Sequence, residues 1–301
     1  DMMVRTDTND LAHVLLPATG WGEKGGTVTN SERRISRQRA FLPTPGQARP
    51  DWQIISDVAG RMGFADAFGY QTPAEVFAEY VALDAAVSGF SRDLDLSVFA
   101  DADYAAMIPT QWPGDNSRFF ADGRFYHPDG KARMVAVDAP VVAAPRFALN
   151  TGRNRDQWHT MTRTGKSPRL GAHLAEPYVE LHPADAAAIG ATPGALGAVE
   201  SRFCRAILRA LSTPRVAQGQ LFAPMHWTRQ RSRLGTINSV TAPVTDPVSG
   251  QPALKAGAVT ATLYQPAWYG FLASETALAP QTPYAAIART QTGWQAELAG
   301  D

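Results

Sequence analysis

The chain has 301 residues, room for about two domains at roughly 150 residues each. With 45% hydrophobic and 19% charged residues it has the composition of a folded protein, which excludes long disordered tracts. Lys plus Arg and Asp plus Glu both number 28, so no global charge steers the chain toward nucleic acid or an anionic membrane, and any anion preference must be local.

A single cysteine, Cys204, excludes a disulfide, a Cys-ligated iron–sulfur cluster or a thiolate zinc site within the chain. In the strand-like run VESRFCRAILRAL it is expected to be inert core. No apolar run reaches the roughly 18 residues of a membrane span, and no signal-peptide pattern opens the chain. The opening, DMMVRTDTNDLAHVLLPATGW, reads as though it began inside a domain of a larger chain.

DLAHVLLPATG sets a short apolar run before Pro17 and Gly20, the pattern of a buried strand ending in a turn. The polar stretch WGEKGGTVTNSERRISRQRAF reads as a long loop, open to two interpretations: solvated surface or ligand lining. After Pro50, a helix is predicted from Asp51, with Trp52, Ile55, Val58, Ala59 and Met62 forming an apolar face toward the core and Gly63 as its stop. TPAEVFAEYVALDAAV predicts a second helix, capped by Thr72, with Pro73 first and Glu75 at the capping-box position.

From 89 to 145 regularity fades. ARMVAV reads as a strand closing the first unit and DAPVVAAP as the connection, which puts a boundary near 140 to 146. Beyond it the runs RFALNTG, YVELHP, GALGAVESRFCRAILRAL, GQLFAPM and AVTATLY, divided by turn residues, predict a closed or rolled β architecture. A helical insert fits HPADAAAIGA, between Pro183 and Gly190. The stretch after Pro266 mixes aromatic anchors with an Ala-rich segment, either packing across the domain or leading onward.

The segment TGRNRDQWHTMTRTGK, residues 151–166, follows neither helical nor strand periodicity and gathers four basic residues, one His, one Trp and four threonines. Thr151 and Gly152 end a strand-like run, where Gly lets backbone approach a bound group and hydroxyls and N–H groups donate. Arg153 adds a planar fork suited to phosphate oxygens. These groups suit a pocket for a large, flat, multiply phosphorylated ligand; the alternative is an exposed Arg-rich loop with its Trp packed on the surface. His159 lacks metal-site partners, since His173 and His182 stand at no recognisable spacing. No G-x-S-x-G elbow presents a nucleophile to it, and no Walker A or G-x-G-x-x-G occurs. It reads as a hydrogen-bonding pocket residue.

ALNTGRNRDQWHTMTRTGKSPRL, with TGR, a short spacer, WHT and MTR, resembles the start of the C-terminal cofactor domain of molybdopterin oxidoreductases of the dimethyl sulfoxide reductase type, most closely the assimilatory nitrate reductases. The segment from AHVLLPATGW to DVAGRMG and the segment from LFAPMHW to LKAGAV resemble the family's earlier and closing regions, in order. The likeness runs from Asp1 to about Tyr269. It implies an α/β plus mainly β chain: the end of a Rossmann-like α/β domain over 1–140, a double-psi β-barrel (molybdopterin dinucleotide-binding, aspartate-decarboxylase-like) over 141–270, and a tail or linker over 271–301.

The resemblance further implies that Thr151, Gly152, Arg153, Asn154, Arg155, Asp156, Gln157, Trp158, His159 and Thr160 line a molybdopterin guanine dinucleotide (Mo-bis-MGD), with Arg153 and His159 its strongest polar contacts. By the same resemblance Asn238 and Lys255 touch that cofactor, Asp1 accepts from its guanine or ribose, and Thr27, Asn30 and Glu32 stand near it or near the substrate funnel. No catalytic residue and no metal ligand is implied here. Family members carry a 4Fe-4S cluster on an N-terminal Cys set, and nitrate reductases of this type hold molybdenum on a Cys from the first half of the chain; Cys204 matches neither. The implied activity is cytoplasmic reduction of nitrate to nitrite by oxygen-atom transfer, with an electron-donor protein or domain and no nucleic-acid or membrane partner. A formate dehydrogenase of the same fold and cofactor, and a non-catalytic β-barrel binding module, are the rival readings.

Overall fold

The computed structural model describes residues 1–3, 6–89, 94–114, 118–136 and 146–301. The chain divides into two compact units, Asp1–Val137 and Asp138–Asp301. The expected boundary near 140 to 146 falls almost wholly on 137–145, outside the described residues.

In the first unit β1 (Gly26–Thr29), β2 (Arg34–Gln38) and β3 (Thr110–Gln111) form an antiparallel sheet in that order. The polar stretch read as a loop is therefore largely a hairpin, with Gly26 opposite Gln38 and Thr29 opposite Ile35. Its turn is built by Asn30, whose Oδ1 accepts the N–H groups of Glu32 and Arg34 at 3.0 Å each, and by Arg33 at φ 66°. Of β1 and β2 only Ile35 is buried, so an apolar alternation never marked them as strands.

Helix α1 (Asp51–Arg61) and helix α2 (Pro73–Ser88) form where the spacing predicts. Thr72 Oγ1 accepts the Glu75 N–H, while the Glu75 carboxylate reaches the N–H of Gln71, one residue before the cap. Gly89, at φ 56°, ends the helix. Phe77 and Val81 of α2 pack with Ile35, Leu96, Phe99 and Met107 as the core of this unit. Thr72→Ala is expected to destabilise the unit by about 1 kcal/mol, read as a lower urea midpoint with unchanged slope.

Three expectations fail in this unit. The apolar face of α1 is not core: Ala59 is buried, but Ile55, Val58 and Met62 are exposed. Helical periodicity says which face seeks cover, not what supplies it. Leu11, Val14, Leu15 and Leu16 are exposed too, and the run ends in one isolated bridge, Ala18 to Arg49, instead of a strand. A strand requires neighbours for its N–H and C=O groups along its length, and beyond that bridge the described residues offer this run only the bonds of Asp1 with Leu16 and Ala18. Residues 132–136 of ARMVAV are irregular, with Met134 exposed.

The second unit contains β4 (Phe147–Gly152), α3 (Pro168–Gly171), β5 (Tyr178–Leu181), α4 (Pro183–Ala188), β6 (Leu196–Glu200), β7 (Arg205–Ser212), β8 (Gln220–Pro224) and β9 (Gly257–Tyr264). The six strands close into a barrel in the order β4-β8-β5-β7-β6-β9. The pairs β4/β8 and β5/β7 are parallel and the other four antiparallel. Ala206, Leu208 and Ala210 of β7 point into the core with Leu149, Val179, Leu181 and Leu221, while Ile207 points outward. Both faces are covered, hence three consecutive buried residues on that strand. Cys204 is not core: it is exposed in the β6–β7 turn, where the Ser201 N–H donates to its carbonyl at 3.0 Å.

Residues 271–301, expected as tail or linker, continue β10 (Trp268–Ser274) and form β11 (Tyr284–Arg289) and β12 (Trp294–Gly300). They make an antiparallel sheet in the order β10-β12-β11. Tyr284, Ala286 and Ala299 pack on Leu196, Ala198, Ile207 and Tyr264 outside the barrel. The small Ala residues that read as a linker let the sheet lie close against it. Among the described residues no helix is long and apolar enough to cross a membrane.

Candidate functional site at the barrel mouth

Parallel strands β4 and β8 end side by side, Gly152 opposite Pro224, and release two chain segments at the same end of the barrel. The Met225 N–H donates to the Gly152 carbonyl at 2.9 Å. A Cβ on Gly152 would stand 2.5 Å from Phe222 Cε2. The neighbouring strand thus requires a glycine here.

Thr151 is buried, and its hydroxyl donates to the Leu254 carbonyl at 3.0 Å while its own carbonyl accepts from the Lys255 ammonium. Two residues singled out separately are brought together where β4 meets the segment leading into β9, but the Thr151 side chain faces the protein. The Ala256 N–H donates to Asn150 Oδ1 at 3.1 Å and ties the same two segments.

Beyond Gly152 the backbone is held from behind. The Asn154 N–H donates to Nε2 of His226 at 2.7 Å, and Nδ1 of the same ring lies 2.7 Å from the His159 carbonyl oxygen. The Tyr178 hydroxyl donates to Asn154 Oδ1 at 2.7 Å. His226 is completely buried; burial pushes its pKa down, against the upward pull of the His159 carbonyl, and the nearby Arg153 and His159 charges push the same way as burial. Inside the loop Gln157 is buried and donates to the Leu170 carbonyl, and the Asp156 carboxylate is held by Arg155 and by His173 at 2.8 Å. The hydrogen bond from Arg155, then that from His173, keeps the Asp156 carboxyl below its usual range.

What remains on the outer side is a set of available groups. Arg153, Trp158, His159 and Thr160 are all exposed. The Arg153 guanidinium lies 5.1 Å from the Trp158 ring centre, the Trp158 and His159 rings meet edge-on at 4.5 Å, and the Thr160 and Thr162 hydroxyls are 2.9 Å apart. His159 at φ 43° and Met161 at φ 59° hold the chain in the left-handed region that a non-glycine residue occupies only when its surroundings enforce it. Buried Asn154 Nδ2 and Gln157 Oε1 have no protein partner among the described residues. A cation fork, a flat aromatic face, an imidazole and hydroxyls on one side fit a ligand with phosphate oxygens and planar rings.

The remaining predicted residues stand on other elements. Asn238, on a short 3-10 turn (Ile237–Val240), is exposed and lines a hollow with Phe203 and Pro252. Lys255 lines a neighbouring cavity of about 620 Å³, which shares Phe203, Ala242 and Val244 with that hollow. Asp1 belongs to the first unit, exposed, its carboxylate accepting the Met3 N–H. Thr27, Asn30 and Glu32 are part of the β1–β2 hairpin, where Glu32 stands 3.5 Å from Arg34. Sequence reasoning missed His226 and Tyr178; a His beside a Trp at a strand exit, in PMHW, is the one signal that marked the first. Among the described residues no group of three or more His, Cys, Asp or Glu could hold a metal ion.

Residues 147–258, the barrel and its loops, match the molydopterin dinucleotide binding domain, and residues 1–61 match molybdopterin oxidoreductase. A nitrate reductase from Klebsiella oxytoca is 46% identical over 91% of this chain and 33% of its own length. The chain belongs to the molybdopterin oxidoreductases. A subunit alpha of an F420-dependent formate dehydrogenase from Methanococcus maripaludis is 30% identical over 80% of this chain and 35% of its own. The chain therefore spans about a third of the length of the curated relatives it matches. Its fold also resembles that of acetylene hydratase from Pelobacter acetylenicus, with a TM-score of 0.57 at 17% identity over 82% of this chain and 37% of the other.

Proposed function

We propose that this chain is the dinucleotide-holding part of a molybdenum-dependent nitrate reductase that converts nitrate to nitrite. The observation that carries the reading is the outer face of residues 153–160: cation, aromatic ring, imidazole and hydroxyl on one side of a loop within the matched binding domain. Nitrate is favoured over formate as substrate because the nitrate reductase relative is 46% identical and the formate dehydrogenase relative 30%.

In this reading Arg153 binds phosphate oxygens of a molybdopterin guanine dinucleotide, Trp158 offers a face to a planar ring, and His159 and Thr160 donate hydrogen bonds. Asn154, Asp156 and Gln157 shape the loop, Arg155 adds positive charge, and Thr151 with Gly152 fixes its start. Lys255 and Asn238 present donors from adjoining hollows, and Asp1 accepts from the guanine or ribose. When bound, the molybdenum cofactor supplies the oxygen-atom transfer; the residues here bind and orient it.

The finer fold assignment belongs to the same reading. Six strands with two parallel pairs support a double-psi barrel. The Rossmann-like assignment of the first unit rests on its family match over 1–61, since its described sheet is antiparallel. A 4Fe-4S cluster, an electron-donor protein and a cytoplasmic location complete it, supported by the likeness to nitrate reductases.

The test is metal and nucleotide analysis of the full-length protein, with nitrite formation from nitrate under a reduced viologen donor. Arg153→Ala is expected to lower guanine nucleotide content roughly 10-fold or more after dialysis, the loss of a charge-assisted contact of about 1.5–3 kcal/mol. Arg153→Lys should recover part, since charge remains but the fork does not. Full occupancy with wild-type turnover in Arg153→Ala would show the loop to be merely solvated.

A further inference from the structure

Both ring nitrogens of His226 are committed to backbone groups of the same loop. The Asn154 N–H can only donate, so Nε2 must carry its lone pair; the His159 carbonyl can only accept, so Nδ1 must carry the proton. Two backbone groups thereby dictate one tautomer and a neutral ring. His226 is 0% exposed and stands two residues beyond the end of β8, so it is as fixed as the barrel. The two groups it grips bracket residues 154–159, and the second belongs to a residue at positive φ, a conformation that has to be enforced from outside.

We propose that His226 is the positioning residue of the dinucleotide loop, a latch that holds residues 154–159 closed when its imidazole is neutral and releases their Asn154 end when it is protonated. The proposal deepens the functional reading above and rests on it. Protonation puts a second N–H where the Asn154 N–H points, so two donors face each other and that bond is lost. The adverse contact cannot be relieved by rotating the ring, because a charged imidazole has no acceptor to present.

The surroundings set the direction. The charged groups of the loop nearby are Arg153 and His159, and any positive charge on them opposes a second one on His226. From β5, Tyr178 reaches the side chain of Asn154, and burial raises its hydroxyl pKa, so it stays a neutral donor. On its own segment the neighbour is Trp227, an uncharged ring 6.5 Å away. Burial and these neighbours place the folded-state pKa below that of free histidine. The stabilisation from the latch is therefore complete above the unfolded value of about 6.5 and is lost as pH falls through the folded one. Between those limits the population of open loop rises about tenfold per pH unit.

The experiment uses the full-length protein purified with its cofactor and follows release of guanine nucleotide and pterin between pH 7.5 and 5. Wild-type release should accelerate below about pH 6.5, by up to roughly tenfold per unit. His226→Gln, a non-titrating side chain that keeps one of the two bonds, should retain cofactor at pH 7.5 and show a flattened pH response. His226→Ala should release at least about tenfold faster than wild type at pH 7.5, having neither bond, and the gap should narrow toward pH 5. A loaded wild type whose release ignores pH, or a His226→Gln protein with the wild-type slope, overturns the latch and leaves the functional reading standing. A full-length protein without guanine nucleotide overturns that reading instead. In that event hydrogen exchange over residues 153–161, corrected for intrinsic pH dependence, decides the latch: protection must fall from pH 7.5 to 5 in wild type and not in His226→Gln, and equal behaviour in both overturns it.

Discussion

Arg209→Ala is expected to destabilise the second unit by about 2–4 kcal/mol and to loosen the sheet of β10, β11 and β12 from the barrel. Arg209 Nε donates to Glu176 Oε2 at 2.8 Å, Nη2 to Glu297 Oε2 at 2.8 Å and Nη1 to the Gly194 carbonyl at 2.6 Å. The Tyr284 hydroxyl donates to the same Glu176 oxygen at 2.5 Å, and burial holds that phenol protonated far above its ordinary range. Removing the guanidinium leaves a largely buried carboxylate with one partner. The loss stays below that of a fully enclosed pair because the Glu297 side chain is 53% exposed and its share is screened. Arg209→Lys should restore only part, since an ammonium cannot serve three acceptors in a fixed fork. Urea unfolding, and protease cleavage at residues 275–283 under native conditions, would show the effect; an unchanged midpoint would reduce the cluster to surface decoration.

Gly152→Ala is the second large effect, and its sign is opposite to the usual one. Within a strand, Ala normally gains over Gly because it loses less backbone entropy on folding. Here the added methyl meets the Phe222 ring at 2.5 Å, and Phe222 belongs to the strand paired with β4. The ring or the strand must shift, a strain of about 1–3 kcal/mol placed one residue before Arg153. Cofactor content should fall together with the urea midpoint. Shrinking the obstacle, in Gly152→Ala with Phe222→Leu, should recover both, because the two changes share one contact and are not additive. Recovery of the midpoint without recovery of the cofactor would mean that the ring itself supports the loop.

The cluster and the glycine differ in how far each could be read from the residue order. Features set within a few positions were readable: the Thr72 cap and Pro73 start of α2, the Pro183 start of α4, and the barrel runs that became β4 to β9. They depend on periodicity and capping, which act over one or two turns. The loop at 151–166 was readable by its donors, though not by its shape. Its character as a candidate site came from chemistry concentrated in sixteen residues, which lie within the family match over 147–258.

Other features depend on residues far apart along the chain. The hydrogen bond from Asn154 to His226 spans 72 positions, the pairing of Thr151 with Lys255 spans 104, and the bond from Tyr284 to Glu176 spans 108. No local pattern announces such partners, because burial and pairing are set by closure of the barrel and not by neighbouring residues. The same cause explains why the alanines after Pro266 read as a tail and became strands, and why the α1 stripe read as core and is exposed. The residue order alone laid down the strand runs, the caps and a loop of anion-seeking donors. Packing over long sequence separations selected which of those donors face outward, turned Thr151 inward, and placed a neutral histidine behind the loop, where two backbone groups leave it a single protonation state.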